Sequence, residues 1–255
     1  MILVDINCDM GELPELVRDG TQDRLLDIVS SVNIACGGHA GDAAIIEQTI
    51  EASLLHGVRI GAHPGYPDRE NFGRVPLSMP FDELAGSIAA QLARFGEIAD
   101  RCGAAITHVK PHGALYNVAV NDVETAAAIA QAVSGWRTGV VLMGLAGSQM
   151  LAVFEEHGFT TAAEAFADRR YEPDGTLRSR TLPGSLLDDP AAAADQSLSI
   201  ARDRVVVASD GSRISLQAAT ICVHSDTPGS VAIAAAVRSK LEAANIRIGM
   251  PDLPA

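Results

Sequence analysis

Residues 105–117 read AITHVKPHGALYN, and the order of residue types there decides the fold. Residues 105–109 form a short, β-branched run, the composition of a strand. Before it, residues 81–102 put Phe81, Leu84, Ile88, Leu92, Phe95 and Ile98 on one helical stripe that Gly103 ends. After it, residues 122–133 read as a further helix. A strand enclosed by helices has no hairpin partner within reach and pairs in parallel. Its carboxyl end is polar: His108 and Lys110 share a face because strand side chains alternate, and Pro111 then breaks regular pairing.

The same order recurs in both directions. Strands are expected at 2–7, 31–35, 58–62, 139–143, 161–166 and 220–224, and helices at 25–29, 42–56, 148–157, 191–201 and 231–244. The 42–56 helix carries Ile46, Ile50 and Leu54, with Gly57 as its stop. Residues 205–208 and 213–216, joined around Asp210-Gly211, read as a small hairpin. About seven strand–helix units without a break in composition predict one closed or nearly closed parallel barrel, a single domain over 1–255. A doubly wound open sheet is the alternative.

Nearly half of the 255 residues are hydrophobic (47%), enough for a sizeable core, yet no apolar run approaches the ~20 residues of a membrane span. Nineteen basic against 32 acidic residues give −13, a balance that disfavours nucleic acid or an anionic membrane as partner. The chain opens on MILVDINCDMGE with no basic leader, so a cytoplasmic location is expected. Cys8, Cys36, Cys102 and Cys222 lie far apart without a CxxC and read as reduced core thiols.

In parallel α/β folds ligands bind at the carboxyl ends of the strands, and polar residues collect there after almost every strand. Asp5, Asn7 and Asp9 alternate onto one face, with Glu12 next. Asn33 lies within the second strand and His39 just after it, His63 follows the third, the fourth ends in His108 and Lys110 with His112 next, the sixth brings Glu164 and then Asp168 and Arg169, and the seventh ends in His224. A lone histidine after a strand is usually structural, and Lys110 is either an anion clamp or the partner of a buried Asp or Glu. The repetition outweighs the bland reading, because unpaired buried charges cost several kcal/mol each and are kept where something binds. GLAGS (144–148) at a helix start offers a weak phosphate site. There is no GxxxxGK[ST] and no GxGxxG.

The strings VDINCDMGE (4–12), NIACGGHAGD (33–42), GAHPGYPD (61–68) with FGR (72–74), HVKPHGALYN (108–117), GLAGS, PGSLL (183–187) and TICVHSDTP (220–228) occur in order over essentially the whole chain. This pattern resembles the LamB/YcsF family. Gly38, Val75, Ala219 and Ser225 depart from it, standing where Phe, Arg, Asp and Gly are usual. The resemblance implies a seven-stranded TIM-like (β/α) barrel akin to glycoside hydrolase and deacetylase barrels. It also implies ATP-dependent opening of 5-oxo-L-proline to L-glutamate, with Mg2+ and with B and C partner subunits.

Opening a stabilised lactam needs a base for water, an acid for the leaving nitrogen and cations for phosphate. Asp9 and His63 are the candidate bases, His112 the proton donor, and Lys110 and Arg169 the cations. Asp5, Asn7 and Glu164 would fix these groups or hold Mg2+. Glu12, Asn33, His39, His108 and His224 complete the expected substrate and phosphate contacts. Two other readings stay open: a metal-dependent deacetylase or amidohydrolase using Asp9, His39 and His63 as ligands, and a non-catalytic scaffold protein.

Overall fold

A computed structural model describes residues 2–249. Its centre is a closed barrel of seven parallel strands: β1 (Leu3–Met10), β2 (Ser31–Ala35), β3 (Arg59–His63), β4 (Ile106–Val109), β5 (Val141–Leu145), β6 (Thr161–Phe166) and β9 (Thr220–Cys222). Each pairs with the next, and β1 closes the ring by pairing with both β2 (Asn7↔Ser31) and β9 (Asp5↔Thr220). The open-sheet alternative is thereby excluded. Between β6 and β9 lies the antiparallel pair β7 (Val205–Val207) and β8 (Arg213–Ser215), the hairpin expected from Asp210-Gly211. A short β10 (Arg247–Ile248) runs parallel to the start of β1.

The helices are α1 (Pro14–Arg18), α2 (Thr21–Leu26), α3 (Ala43–His56), α4 (Phe81–Arg101), α5 (Gly113–Ala119), α6 (Val123–Ser134), α7 (Gln149–Glu156), α8 (Pro190–Leu198) and α9 (Ser230–Ala243). Their starts follow local chemistry. Asp42, Asp122 and Asp189 each accept a backbone N–H of the first turn. On α4 the stripe Leu84, Ile88, Leu92, Phe95 and Ile98 is buried, each large side chain contributing about 1.5–3 kcal/mol. On α3 the expected stripe is displaced. Leu54 is 43% exposed, and Thr49 and Ser53 are buried beside Ile46 and Ile50. Eight residues at 100° each overshoot the face by about 80°, so the i+8 position swings out while i+3 and i+7 stay in.

Alternation sets what the barrel contains. The main core lies between strands and helices, and Val141, Met143 and Ala162 form a small separate apolar cluster. Most other alternate positions on these strands are polar and buried: Asp5, Asn7, Asp9, Ser31, Asn33, His63, His108, Glu164 and Thr220. β1 runs three residues beyond its expected end, which carries Asp9 on the strand itself. β5 lies two residues later than expected and β9 stops at Cys222. Cys8, Cys36 and Cys222 are buried free thiols, and Cys102 is half-buried and free.

The interior leaves no room for a larger residue at position 61. A Cβ on Gly61 would stand 2.1 Å from His108 Nε2, the nitrogen that donates to Asn33 Oδ1. Gly61→Ala is therefore expected to destabilise the protein by about 1–3 kcal/mol through overpacking, read as a lower urea midpoint with unchanged slope.

Candidate active site

A ladder of hydrogen bonds climbs the barrel interior, and its directions follow from which atoms can only accept or only donate. Asp5 accepts from Ser30, Ser31 and Thr220 hydroxyls at 2.6, 2.7 and 2.6 Å. Burial raises its carboxyl pKa, and these three hydroxyls partly offset that. Asn7 Nδ2 donates to Thr220 (2.7 Å) and to Glu164 Oε1 (2.9 Å). Asn33 Nδ2 donates to Asn7 Oδ1 and Asp9 Oδ1, both at 2.8 Å, and Asn33 Oδ1 accepts from His108 Nε2 at 2.9 Å. Burial, with the charge of Lys110, pushes the His108 pKa down to about 3, so this ring is neutral.

Lys110 crosses the ladder. Its Nζ lies 2.9 Å from Asp9 Oδ1, 2.9 Å from Glu164 Oε1 and 3.2 Å from Cys222 Sγ. Burial would discharge the ammonium, but Asp9, Cys222 and Glu164 outweigh it and hold its pKa well above the usual range. Asp9 is the counterpart: burial opposes its charge, and His63 and Lys110 keep its pKa well below the usual range. Lys110 is thus the partner of buried carboxylates, as one of its two sequence readings requires.

Above Lys110 the end of β3 and the loops after β1, β2 and β4 bring His63, Glu12, His39 and His112 together. His39 and His112 stack at 3.6 Å, and His39 Nε2 is 3.1 Å from Glu12 Oε1. Burial, reinforced by His112, lowers the His39 pKa to about 3. Across the mouth, Asp168 accepts from His224 Nδ1 (2.9 Å) and Thr227 (2.7 Å), and His224 stacks on Phe166. Arg74 and Arg180 both pair with Asp226, and Arg169 is near enough to feel both guanidiniums. Burial, then Arg180, lowers the Arg169 pKa to about 10, so it remains a cation at neutral pH.

The candidates named from sequence therefore converge, but at different depths. Asp5, Asn7, Asn33, His108 and Glu164 are wholly covered, whereas Asp9, Glu12, Lys110, His112 and Arg169 each keep a few per cent exposure. Asp5 and His108 bond to side chains of the barrel interior: Asp5 to Ser30, Ser31 and Thr220, and His108 to Asn33 and Thr107. The His112 Nε2 donates to the Phe72 carbonyl at 2.9 Å, and burial lowers the ring's pKa, only partly offset by Glu12. The expected metal set is regrouped: among the described residues the triads with mutually close donor atoms are Glu12–His63–His112 and Asp9–Cys222–His224, not Asp9–His39–His63. GLAGS starts α7, where the Ser148 hydroxyl donates to the Leu145 carbonyl.

Sequence reasoning misses Arg74, Arg180 and Asp226 as site residues. The FGR and HSDTP strings contain Arg74 and Asp226, but nothing in their spacing shows that they meet. Among the described residues, the buried side-chain atoms without a hydrogen-bond partner are His39 Nδ1, Tyr116 Oη, Glu164 Oε2 and Arg169 Nε. Tyr116 is close to Glu164, which with burial keeps its phenol protonated. A cavity of about 450 Å3 at the opposite end of the strands, lined by Asp27, Ser30, His56, Arg59 and Arg238 among others, holds none of this cluster.

The class defined here is a TIM-like parallel barrel with an ionisable centre at the carboxyl ends of its strands, where such barrels do their chemistry. The chain belongs to the LamB/YcsF family, whose model matches residues 4–252. It is 48% identical to the A component of 5-oxoprolinase from Chloroflexus aggregans, over 98% of this chain and 100% of that one. It is 43% identical to the same-named protein of Mycobacterium avium, over 96% of this chain and 97% of that one. A crystal structure of the lactam utilization protein from Thermus thermophilus superposes with TM-score 0.89 at 36% identity, covering 97% of this chain and 99% of that one. No helix of the described residues is long and apolar enough to cross a membrane.

Removing the Lys110 ammonium strands two buried carboxyl groups. Lys110→Met is expected to cost about 3–5 kcal/mol, measured by urea denaturation. An unchanged melting temperature would return Lys110 to the role of a free anion clamp.

Proposed function

We propose that this chain is the A component of an ATP-dependent 5-oxoprolinase that opens the lactam of 5-oxo-L-proline to L-glutamate together with B and C components, in the cytoplasm. The observation that carries this reading is the near full-length identity to relatives named as the A component of 5-oxoprolinase. The polar mouth supports it, since it gathers cations and bases of the kinds that the reaction needs.

The amide of a five-membered lactam is a poor electrophile. Transfer of the ATP γ-phosphoryl group to the amide oxygen releases ADP and leaves a carbon that water can attack. Water adds there and loses a proton to a base. The C–N bond then breaks as the nitrogen gains a proton, giving an acyl phosphate, and a second water releases phosphate and L-glutamate. Asp9 and His63, whose Oδ2 and Nε2 are 3.4 Å apart, are the bases. His112 passes on a proton once it has received one. Lys110 faces the developing negative charge. Arg169, with Arg74 and Arg180, receives phosphate or the substrate carboxylate, and Mg2+ accompanies the ATP phosphates.

The test is glutamate release from 5-oxoproline with the purified chain alone, with B and C, and with and without ATP. ATP-dependent release is expected only from the assembled complex. Arg169→Gln is expected to lower kcat/KM of that complex by about 100-fold with the fold intact. Full turnover by the single chain, or an inert complete complex, would overturn the reading.

A further inference from the structure

We infer that Glu12, His63 and His112 form a binding site for one divalent first-row transition ion of the zinc type. The argument concerns donor atoms and does not rest on the lactam reading. His63 Nδ1 lies 2.7 Å from the Lys110 carbonyl oxygen, and His112 Nε2 lies 2.9 Å from that of Phe72. A carbonyl oxygen only accepts, so both of these nitrogens carry the proton. The other two ring nitrogens, His63 Nε2 and His112 Nδ1, face each other at 3.0 Å. Glu12 Oε1 is 2.9 Å from His112 Nδ1 and 3.7 Å from His63 Nε2. Asp9 Oδ2 is 3.4 Å from His63 Nε2.

Three donor atoms converge here, and something positive must stand between them. A proton satisfies one pair of atoms, whereas a metal ion satisfies all three. With bonds of about 2.0–2.2 Å, neighbouring ligand atoms around a tetrahedral or octahedral ion lie about 2.9–3.5 Å apart, and the three observed spacings bracket that range. Each imidazole already has the backbone carbonyl that orients a metal-binding histidine from behind, and His39 Nε2 braces Glu12 in the same way. Glycines clear the space: a Cβ on Gly73 would lie 2.7 Å from His39 and 3.0 Å from His112, and Gly73 has φ +61°. Two imidazoles and one carboxylate favour zinc, cobalt or nickel over magnesium or calcium. The neighbouring triad Asp9–Cys222–His224 is different, because the Lys110 ammonium already bonds both Asp9 and Cys222. An ion held by Glu12, His63 and His112 supplies a polarised water or carbonyl beside Asp9. Asp9 would then be the base, and the two histidines would be ligands.

The experiment is titration of the chelator-stripped, full-length protein with Zn2+ and Co2+ by calorimetry and visible absorption. One equivalent is expected, with a cobalt d–d spectrum lacking a thiolate charge-transfer band and a melting temperature raised by Zn2+. Glu12→Gln and His112→Ala are expected to weaken binding about 100-fold or more, His39→Ala about 10-fold to 100-fold, and Cys222→Ser to leave it unchanged. Absence of stoichiometric binding to the folded wild-type chain leaves a shared proton in the site and overturns the inference. Binding that survives in folded His112→Ala, or a thiolate band, overturns it too. Should the ligand variants not fold, the wild-type stoichiometry and spectrum decide. Turnover of 5-oxoproline by an ion-free complex would refute the ion and spare the lactam reading, and a bound ion without turnover would do the reverse.

Discussion

The ammonium of Lys110, shared at 2.9 Å by Asp9 and by Glu164, is the interaction on which the barrel interior depends. Desolvating three charged groups costs several kcal/mol each, and that cost is recovered only if the remaining lone pairs are also bonded. Asn7 and Asn33 do this for Glu164 and Asp9. The groups concerned come from β1, β2 and β6 and from the residue following β4, so the ion pair ties strands across the barrel that ladder hydrogen bonds join only to their neighbours. An interior filled with valine and leucine would also fold. It would leave nothing reactive at the carboxyl end.

The ladder also explains why neutral and charged groups keep fixed places. At its foot Asp5 accepts from three hydroxyls, and burial raises its carboxyl pKa. Midway, His108 is neutral and serves to orient Asn33. Higher up, Asp9 and Lys110 stabilise each other's charge. Each amide and imidazole has one orientation that satisfies its neighbours, so the direction set at Thr220 and Asp5 reaches the mouth. Fully satisfied networks of this kind define one arrangement of side chains, whereas a half-satisfied one costs more than an apolar core. Among the described residues, Glu164 Oε2 and Arg169 Nε are buried atoms of the site left without a hydrogen-bond partner.

Much of this was legible in the sequence, because period-two alternation and strand-end position are local. Asp5, Asn7 and Asp9 share an interior face, as do His108 and Lys110, and the long helix α4 falls where its stripe puts it, whereas α2 (Thr21–Leu26) lies earlier than the expected 25–29 and α1 and α5 were not expected. What was not legible is depth and partnership. Alternation places Asp5 and Asp9 on one face without saying that one lies beneath the other. The closing pairs of β1 with β9 join residues more than two hundred positions apart in sequence. Arg74, Arg180 and Asp226 meet only through three separate loops. The Gly38 departure has a local account that sequence could not give: a Cβ there would lie 2.2 Å from Gln91 Oε1, and that side chain bonds both the N–H and the carbonyl of Gly65. A glutamine from α4 occupies the space that a larger residue at 38 would need.

The charges of the two halves of the mouth differ in sign. Below and around Lys110, Asp9, Glu12 and Glu164 set three carboxyl groups against one ammonium, and the adjacent histidines turn ring nitrogens toward them. At the rim, Arg74 and Arg180 pair with Asp226, and Arg169 lies beside Asp168, so three guanidiniums meet two carboxylates. The inner half therefore attracts a cation and the outer half an anion, within a protein whose overall charge of −13 would otherwise repel phosphate. A ligand matched to both halves presents an anionic group outward and an electron-rich atom inward, where a proton or a metal ion can meet it. The proposed substrate, a cyclic amide bearing a carboxylate, has that shape of charge.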